Sequence, residues 1–201
     1  MTTLNSAIHN KPELVVSDLN QLLPIVLADS YVKPELIKEV SFGPFKIKKD
    51  EGLELRKSCY ETLYALLDTP LALPHLSIST VFDRILDGIP DEHDVRTLCQ
   101  LMLMKLTHLD PDETRRRLSA LADKFKIVLS QKVKENAVKQ EIEKLNEANA
   151  GVIRTTMELD KSFPSAATDG SGEMVTWKGY LEWVKKDFAA LVRSIQDEGS
   201  A

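Results

Sequence analysis

Histidine, cysteine and carboxylate side chains are the groups through which this chain could bind a metal ion or perform acid–base and nucleophilic chemistry. The four histidines, at positions 9, 75, 93 and 108, are spaced too irregularly for a metal site, and Cys59 and Cys99 form no C-x-x-C pair. The sequence contains no glycine-rich phosphate loop, no G-x-S-x-G elbow and no H-E-x-x-H motif. We therefore predict that the protein is not an enzyme and uses no cofactor or metal.

Acidic residues crowd together at Asp91, Glu92 and Asp94. This grouping is typical of a helix start, where negative charge is stabilised by the helix dipole. A second helix start is indicated at residues 110–113, where Asp110 can cap the helix and Pro111 can occupy its first position. We therefore assign these acids to helix starts rather than to a catalytic pair.

The elements that would position any site are mostly helical, because apolar residues recur at i, i+3, i+4 and i+7 along most of the chain. The pattern predicts helices over 12–28, 53–68, 76–88, 92–107, 111–130, 137–159 and 175–196. We expect an N-terminal segment (1–10), HEAT-like repeats (11–160), a flexible loop (161–174) and a C-terminal helix (175–196). In that last helix, the stripe of Trp177, Tyr180, Trp183 and Val184 is interpreted as a core contact.

A short internal repeat starts at positions 52, 92 and 135, with a basic residue after an aliphatic one at Arg56, Arg96 and Lys139. The separations of 40 and 43 residues match the roughly 40–47-residue period of two-helix HEAT repeats. The third copy becomes polar at positions 146, 147 and 149, as the end of an array requires. We therefore predict an all-α, HEAT-type α-solenoid of stacked helix pairs.

The same alignment explains the two cysteines. Cys59 and Cys99 occupy one repeat position and lie on the apolar stripes of their helices. Equivalent residues of stacked repeats are separated by roughly 8–10 Å or more, beyond the ~7 Å Cα separation that a disulfide allows. We predict two buried free thiols, which suit a reducing compartment.

Residues 38–49 break the helical pattern and alternate with period two. With Gly43-Pro44 as a two-residue turn, the facing pairs become Phe42–Phe45, Ser41–Lys46, Val40–Ile47 and Glu39–Lys48. One face is then wholly apolar and the other carries an opposite-charge pair, Glu39–Lys48. The sequence predicts a β-hairpin inserted between helices. Its apolar face either folds back on the chain's own helices or docks into a partner.

Composition and charge narrow the choice of partner. The 201 residues are 43% hydrophobic and 28% charged, and no apolar run reaches the roughly 18 residues of a membrane span. Residues 115–144 carry a net charge of +5 in a chain of net charge −5. This basic band is interpreted as a solvated helix face, with an acidic partner and nucleic acid as alternatives. Nucleic acid is disfavoured because the band holds one aromatic residue, Phe125, for base stacking.

The hairpin and the segment after it resemble a known family. Residues 39–46, Glu-Val-Ser-Phe-Gly-Pro-Phe-Lys, run into residues 50–57, Asp-Glu-Gly-Leu-Glu-Leu-Arg-Lys. This pattern is similar to the carboxy-terminal domain of the cullin-associated NEDD8-dissociated proteins, which are also described as TATA-binding-protein-interacting. Segments 132–134 and 138–144 look like the same family. The resemblance runs from about Leu14 to Met157 and weakens in the Ser/Gly loop that follows.

The resemblance implies a function in the assembly of cullin–RING ubiquitin ligases. Members of this family are long HEAT-repeat solenoids that wrap around an unneddylated cullin–RING scaffold and exchange its substrate receptors. Their carboxy-terminal repeats and hairpin occupy the cullin surface for which the adaptor competes. Carried over by motif, the implied partner-binding residues are Val40, Phe42, Gly43, Pro44, Phe45 and Ile47. The implied localisation is cytoplasmic and nuclear.

The length adds one expectation and leaves one alternative open. At a period of 40 to 43, the 201 residues hold between four and five repeats, fewer than a whole solenoid of this family. We expect the terminal segment of a longer array, whose remaining repeats lie in the same chain or in a split partner. The alternative is a generic HEAT scaffold or transport-receptor fragment, which leaves the hairpin unexplained.

Overall fold

The computed structural model describes residues 2–43, 45–134, 137–164 and 172–198, and the chain divides into two compact units, residues 1–84 and 85–201. The first unit contains α1 (Thr2–Asn10), α2 (Pro12–Asp29), β1 (Ile37–Phe42), β2 (Phe45–Asp50) and α3 (Leu53–Leu67). Short 3-10 turns lie at Pro34–Leu36 and Leu73–His75. Helix α4 (Ile78–Gly88) crosses the boundary, and the second unit continues with α5 (His93–Leu109), α6 (Pro111–Arg116), α7 (Leu118–Leu129), α8 (Lys139–Ser162), α9 (Gly172–Asp187) and α10 (Ala189–Glu198).

Helices α1, α2 and α3 pack against one another in the first unit. The apolar stripes that predict α2 and α3 supply the core, with Leu19 and Leu63 at 2% and 0% exposure. The apolar pattern predicts no helix over residues 1–10, although the structure places α1 there. Ile8 of this helix is buried. The Thr62 hydroxyl on α3 donates a hydrogen bond to the Asn5 side chain on α1. Tertiary contact therefore supports helix α1, which the apolar periodicity does not predict.

The second unit is built around α8, which packs against α5, α7 and α10, while α9 packs against α7. Trp177 and Tyr180 on α9 are fully buried, with their ring centroids 5.2 Å apart. The Tyr180 hydroxyl hydrogen-bonds to Thr156 Oγ1 on α8 at 2.8 Å, and its ring lies 6.1 Å from that of Phe125 on α7. The aromatic stripe of the last part of the chain is therefore a core contact, as the sequence predicts.

Two helices that periodicity predicts as continuous are broken in the structure. The 111–130 helix is interrupted at Arg117, whose amide bonds to both Glu113 and Thr114 carbonyls and so departs from regular α-helical spacing. The 175–196 helix is interrupted at Phe188, which separates α9 from α10, and α10 packs against both α8 and α9. A hydrophobic repeat continues through such a turn, so the pattern alone does not reveal it.

The predicted helix starts are confirmed. Asp110 caps α6, its Oδ1 accepting a hydrogen bond from the Glu113 amide at 3.0 Å, with Pro111 in the first turn. Glu92 is the N-cap residue of α5 and Asp94 lies in its first turn. Of the expected loop at 161–174, residues 165–171 lie outside the described residues; α8 extends to Ser162 and α9 begins at Gly172.

The repeat alignment has a structural counterpart in a buried arginine near the start of the second helix of a pair. Arg56 is 2% exposed and binds the Asp50 carboxylate, and Arg96 is 8% exposed and donates to the carbonyls of Ile89 and Asp91. Each guanidinium therefore holds the segment that precedes its helix. The third copy differs, because Lys139 has a 90% exposed side chain that pairs with Glu143 on its own helix.

The cysteine prediction is also confirmed: Cys59 and Cys99 are free and fully buried. Burial raises the pKa of the Cys59 thiol from 9.0 to about 11, which makes it a poor nucleophile. The predicted fold class, all-α helices of HEAT type with one inserted hairpin, is confirmed as well. Across the part of the chain that the structure describes, the helices are too short or too polar to span a membrane.

Candidate functional site

The candidate site is the antiparallel hairpin formed by β1 and β2, which together make a two-stranded sheet. Its register pairs Phe42 with Phe45, Val40 with Ile47 and Glu39 with Lys48. These are the partners that the sequence alternation predicts, so the register is confirmed. A slip of one residue would exchange the apolar and polar faces, so the alternation excludes it, and the position of the two-residue turn fixes the pairing.

The turn at Gly43 has a backbone conformation that favours glycine. Its φ is +57°, in the left-handed region, and no atom lies within 4 Å of the place where a Cβ would stand. The constraint on a larger residue is therefore conformational rather than steric. A positive φ at the first central position is what a tight two-residue hairpin turn requires.

The base of the hairpin is fixed by buried and close contacts. Arg56 Nη2, on α3, lies 2.9 Å from Asp50 Oδ2 at the end of β2, with side-chain exposures of 3% and 20%. The Glu51 amide donates to the Leu36 carbonyl at 3.0 Å, which joins the residue after β2 to the residue before β1. A Cβ on Gly52 would lie 3.0 Å from Leu36 Cδ1, so the chain passes closely at this point. The hairpin is therefore anchored where it joins the helices.

The polar face carries its ion pairs in a different arrangement from the predicted one. Glu39 lies opposite Lys48 in the register, but its carboxylate pairs diagonally with Lys46, with 2.7 Å between Oε1 and Nζ. The predicted cross-strand placement of Glu39 opposite Lys48 is confirmed, whereas the ion pair forms with Lys46 because long side chains on one face of a twisted ribbon also reach diagonal neighbours. At the base, Lys38 pairs with Glu51 and lowers the pKa of that carboxyl.

The structure describes the six sequence-predicted partner-binding residues to different extents. Val40 is half-buried and Gly43 is exposed at the tip. Phe42, Phe45 and Ile47 have described backbone positions in the strands, whereas their side chains lie outside the described part of the structure. Pro44 lies wholly outside the described residues. The described register thus supports the placement of the predicted apolar residues without testing their role.

Neither strand packs extensively against a helix of the first unit within residues 2–43 and 45–84. The strands' extensive contacts there are with each other, while the base is held by the Arg56–Asp50 pair and the Glu51–Leu36 hydrogen bond. A two-stranded ribbon with an apolar face is marginal in water unless that face becomes covered. The geometry therefore resembles a projecting element with a fixed base.

Sequence reasoning missed the residues that hold the hairpin, chiefly Asp50, Gly52 and Leu36. One signal was present in the repeat alignment, which singled out Arg56 at a position that proved to be buried. A buried arginine requires an acceptor, and Asp50 is the acidic residue that begins the connection from β2 to α3. The close approach of Gly52 to Leu36 left no recognisable signal, because it depends on tertiary packing.

Comparison with known proteins gives a family model and several curated relatives. The family model described as TATA-binding protein interacting (TIP20) matches residues 14–185, so the similarity continues beyond Met157, where the sequence resemblance was expected to weaken. A protein of Emericella nidulans, "Cullin-associated NEDD8-dissociated protein 1, C-terminal part", is 53% identical over 198 residues, which cover 98% of this chain and 19% of that protein.

Relatives with lower sequence identity have related names. Cullin-associated NEDD8-dissociated protein 1 of Dictyostelium discoideum is 35% identical over 80% of this chain and 13% of its own length. Cullin-associated NEDD8-dissociated protein 2 of Rattus norvegicus is 36% identical over 79% of this chain and 12% of its own length. The chain thus spans less than a fifth of the length of these relatives. With the family model matched over residues 14–185, the chain belongs to the cullin-associated NEDD8-dissociated protein family.

Proposed function

We propose that the chain is a non-enzymatic regulator of cullin–RING ubiquitin ligases and that its hairpin docks on the adaptor-binding surface of an unneddylated cullin. The observation that carries the proposal is the hairpin of β1 and β2, anchored through Arg56 and Asp50 and packed extensively on no helix of residues 2–43 and 45–84. The names of the relatives, which associate them with cullins and with NEDD8 dissociation, support the choice of partner.

The proposed mechanism is receptor exchange by competition. Two ligands of one cullin surface displace each other according to their affinities, and exchange also requires a transient complex that contains both. A hairpin that contacts the partner locally can be displaced while other contacts persist. We propose that further repeats, in the same chain or in a separate subunit, supply those other contacts. We also propose that the protein is located in the cytoplasm and the nucleus. Microscopy of a fluorescent fusion protein would test this localisation.

The experiment is a pull-down of purified unmodified and NEDD8-modified cullin with the wild-type chain and a Phe42→Ala/Phe45→Ala variant. We expect the wild-type chain to retain the unmodified cullin. The variant should bind this cullin at least tenfold more weakly, because aromatic side chains at the centre of an interface dominate its affinity. Added adaptor should displace the wild-type chain. Circular dichroism should show unchanged helical content in the variant.

A matched control changes the polar face of the same strands, with Ser41→Ala and Lys48→Ala. Both side chains are exposed, so this control should retain cullin as well as the wild type does. Equal retention by the aromatic variant would contradict the proposed role of the hairpin. Failure of every form to retain either cullin would instead favour a generic HEAT scaffold.

A further inference from the structure

Residues 126–144, at the end of α7 and the start of α8, contain five lysines and three glutamates, of which Glu135 lies outside the described residues. Among described residues 126–134 and 137–144, five lysines stand against two glutamates in a chain of net charge −5. Lys139 pairs with Glu143 at 3.4 Å. The other four lysines have no ion-pair partner among the described residues: Lys126, Lys132, Lys134 and Lys144.

Aliphatic side chains are exposed in the same segment. Ile127 is 51% exposed, Val133 38%, Val138 61% and Ile142 42%. Val138 and Ile142 are four residues apart at the start of α8, so they neighbour each other on one face. We call these four residues, with the four unpaired lysines, the lysine–aliphatic surface.

The start of α8 extends beyond the part of the helix that is packed. From Lys139 to Glu147, Leu145 is half-buried and the other residues are exposed, and the first fully buried residue of the helix is Ala148. A helical stretch of this length receives little stability from its own sequence and is held here as a continuation of the packed α8. It therefore presents a preformed helical edge beside the loop that contains Lys132 and Lys134.

The combination of unpaired cations with exposed aliphatics selects among possible ligands. A nucleic acid would use the lysines but gain little from Ile127 or Ile142, and the aromatic ring of Phe125 is fully buried against Tyr180 and cannot stack on bases. An anionic membrane favours a helix whose polar face is rich in lysine, whereas Glu141 and Glu143 interrupt the exposed part of α8. A protein segment with both acidic and apolar side chains can use both components.

We propose that the lysine–aliphatic surface docks an acidic protein segment in which Asp and Glu alternate with Leu, Ile or Phe. The acids would pair with the unpaired lysines, and the apolar side chains would cover Val133, Val138 and Ile142. The surface lies in the second unit and involves none of the hairpin residues. This inference is independent of the proposed cullin docking, because it depends on charge and exposure in residues 126–144.

The test is fluorescence polarisation with a labelled synthetic peptide of about 20 residues that alternates Glu with Leu. Polyglutamate of equal length, a DNA duplex of about 20 base pairs and phosphatidylserine-containing vesicles serve as competing probes. We expect the Glu/Leu peptide to bind at least tenfold more tightly than polyglutamate, and its affinity to fall as salt increases. Lys132→Glu/Lys134→Glu should weaken it at least tenfold, since both lysines lie on an exposed loop.

Matched controls place the same changes elsewhere on the unit. Lys178→Glu/Lys186→Glu on α9 alters two other exposed lysines and should leave peptide binding unchanged. Ile142→Ser should weaken binding several-fold, whereas Val175→Ser, at a site 61% exposed on α9, should not. Tighter binding of DNA or vesicles than of the peptide would overturn the proposal. Absence of peptide binding, or an equal loss in the control variants, would overturn it too.

Discussion

Arg56 Nη2 lies 2.9 Å from Asp50 Oδ2, and this contact joins the first turn of α3 to the last residue of β2. Arg56 is 2% exposed, so its charge depends on protein acceptors instead of water. Because Asp50 also accepts the Gly52 amide at 2.9 Å, one carboxylate fixes both the guanidinium and the turn into the helix. The orientation of the candidate docking hairpin is therefore set at its base.

The first prediction concerns this ion pair. Asp50→Ala should lower the free energy of unfolding by about 3 kcal/mol, because it leaves the buried Arg56 guanidinium without its carboxylate. Urea denaturation followed by circular dichroism measures the change. The matched control is Glu143→Ala, which removes the acid that pairs with Lys139, the exposed residue at the equivalent repeat position. It should cost about 0.5 kcal/mol or less, and equal losses in the two variants would contradict the role assigned to burial.

The second prediction concerns the turn. Gly43→Val should destabilise the hairpin by at least about 1 kcal/mol, because a β-branched residue is strained at a φ of +57°. Gly43→Asn should cost clearly less, since asparagine tolerates the left-handed region and the site has open space for a Cβ. Backbone chemical shifts and amide exchange of residues 37–42 and 45–50 would report the difference. Identical behaviour of the two variants would count against a conformational constraint at this position.

The third prediction is a pH dependence. Burial raises the pKa of Cys59 to about 11 from 9.0, so the folded state holds the thiol proton more tightly than the unfolded state does. The contribution of the protonated thiol to the free energy of unfolding is present below pH 9. It is lost as the pH rises from about 9 to about 11, with a slope on the order of 1 kcal/mol per pH unit. Burial also raises the pKa of Tyr180, which extends the loss to higher pH.

Denaturant titrations at several values of pH would measure this slope, with Cys59→Ala as the comparison. The variant is less stable overall because it leaves a cavity, yet its stability should fall less steeply above pH 9. A thiol reagent should leave Cys59 unmodified in the native protein and react with it after unfolding. Rapid modification of the native protein would disagree with the burial of this thiol.

The fourth prediction tests the cap of α6. Asp110→Ala should cost about 1 kcal/mol, because the Glu113 amide loses the acceptor that lies 3.0 Å away. Asp112→Ala is the matched control: Asp112 lies in the first turn of the same helix, is exposed and does not cap it. Its loss should be a few tenths of a kcal/mol, from the helix dipole alone. Thermal unfolding of the two variants distinguishes a capping hydrogen bond from a general effect of charge.

Local patterns were enough to predict much of this protein. Alternation with period two, together with the Gly43-Pro44 turn, predicted the hairpin and its register, including the pairing of Val40 with Ile47. The repeat alignment predicted that Cys59 and Cys99 are buried thiols outside any disulfide. In each case the signal is carried by side-chain type and spacing along a single element, which any sequence displays directly.

Tertiary structure decided the features that depend on distant residues. It made residues 2–10 a helix through contacts with α2 and α3, and it divided the last predicted helix at Phe188 into α9 and α10, of which α10 packs against α8. It selected Lys46 rather than Lys48 as the partner of Glu39, and it anchored the hairpin through Asp50 and Arg56. Periodicity records which face of an element is apolar, whereas packing in three dimensions determines what that face meets and where the chain turns.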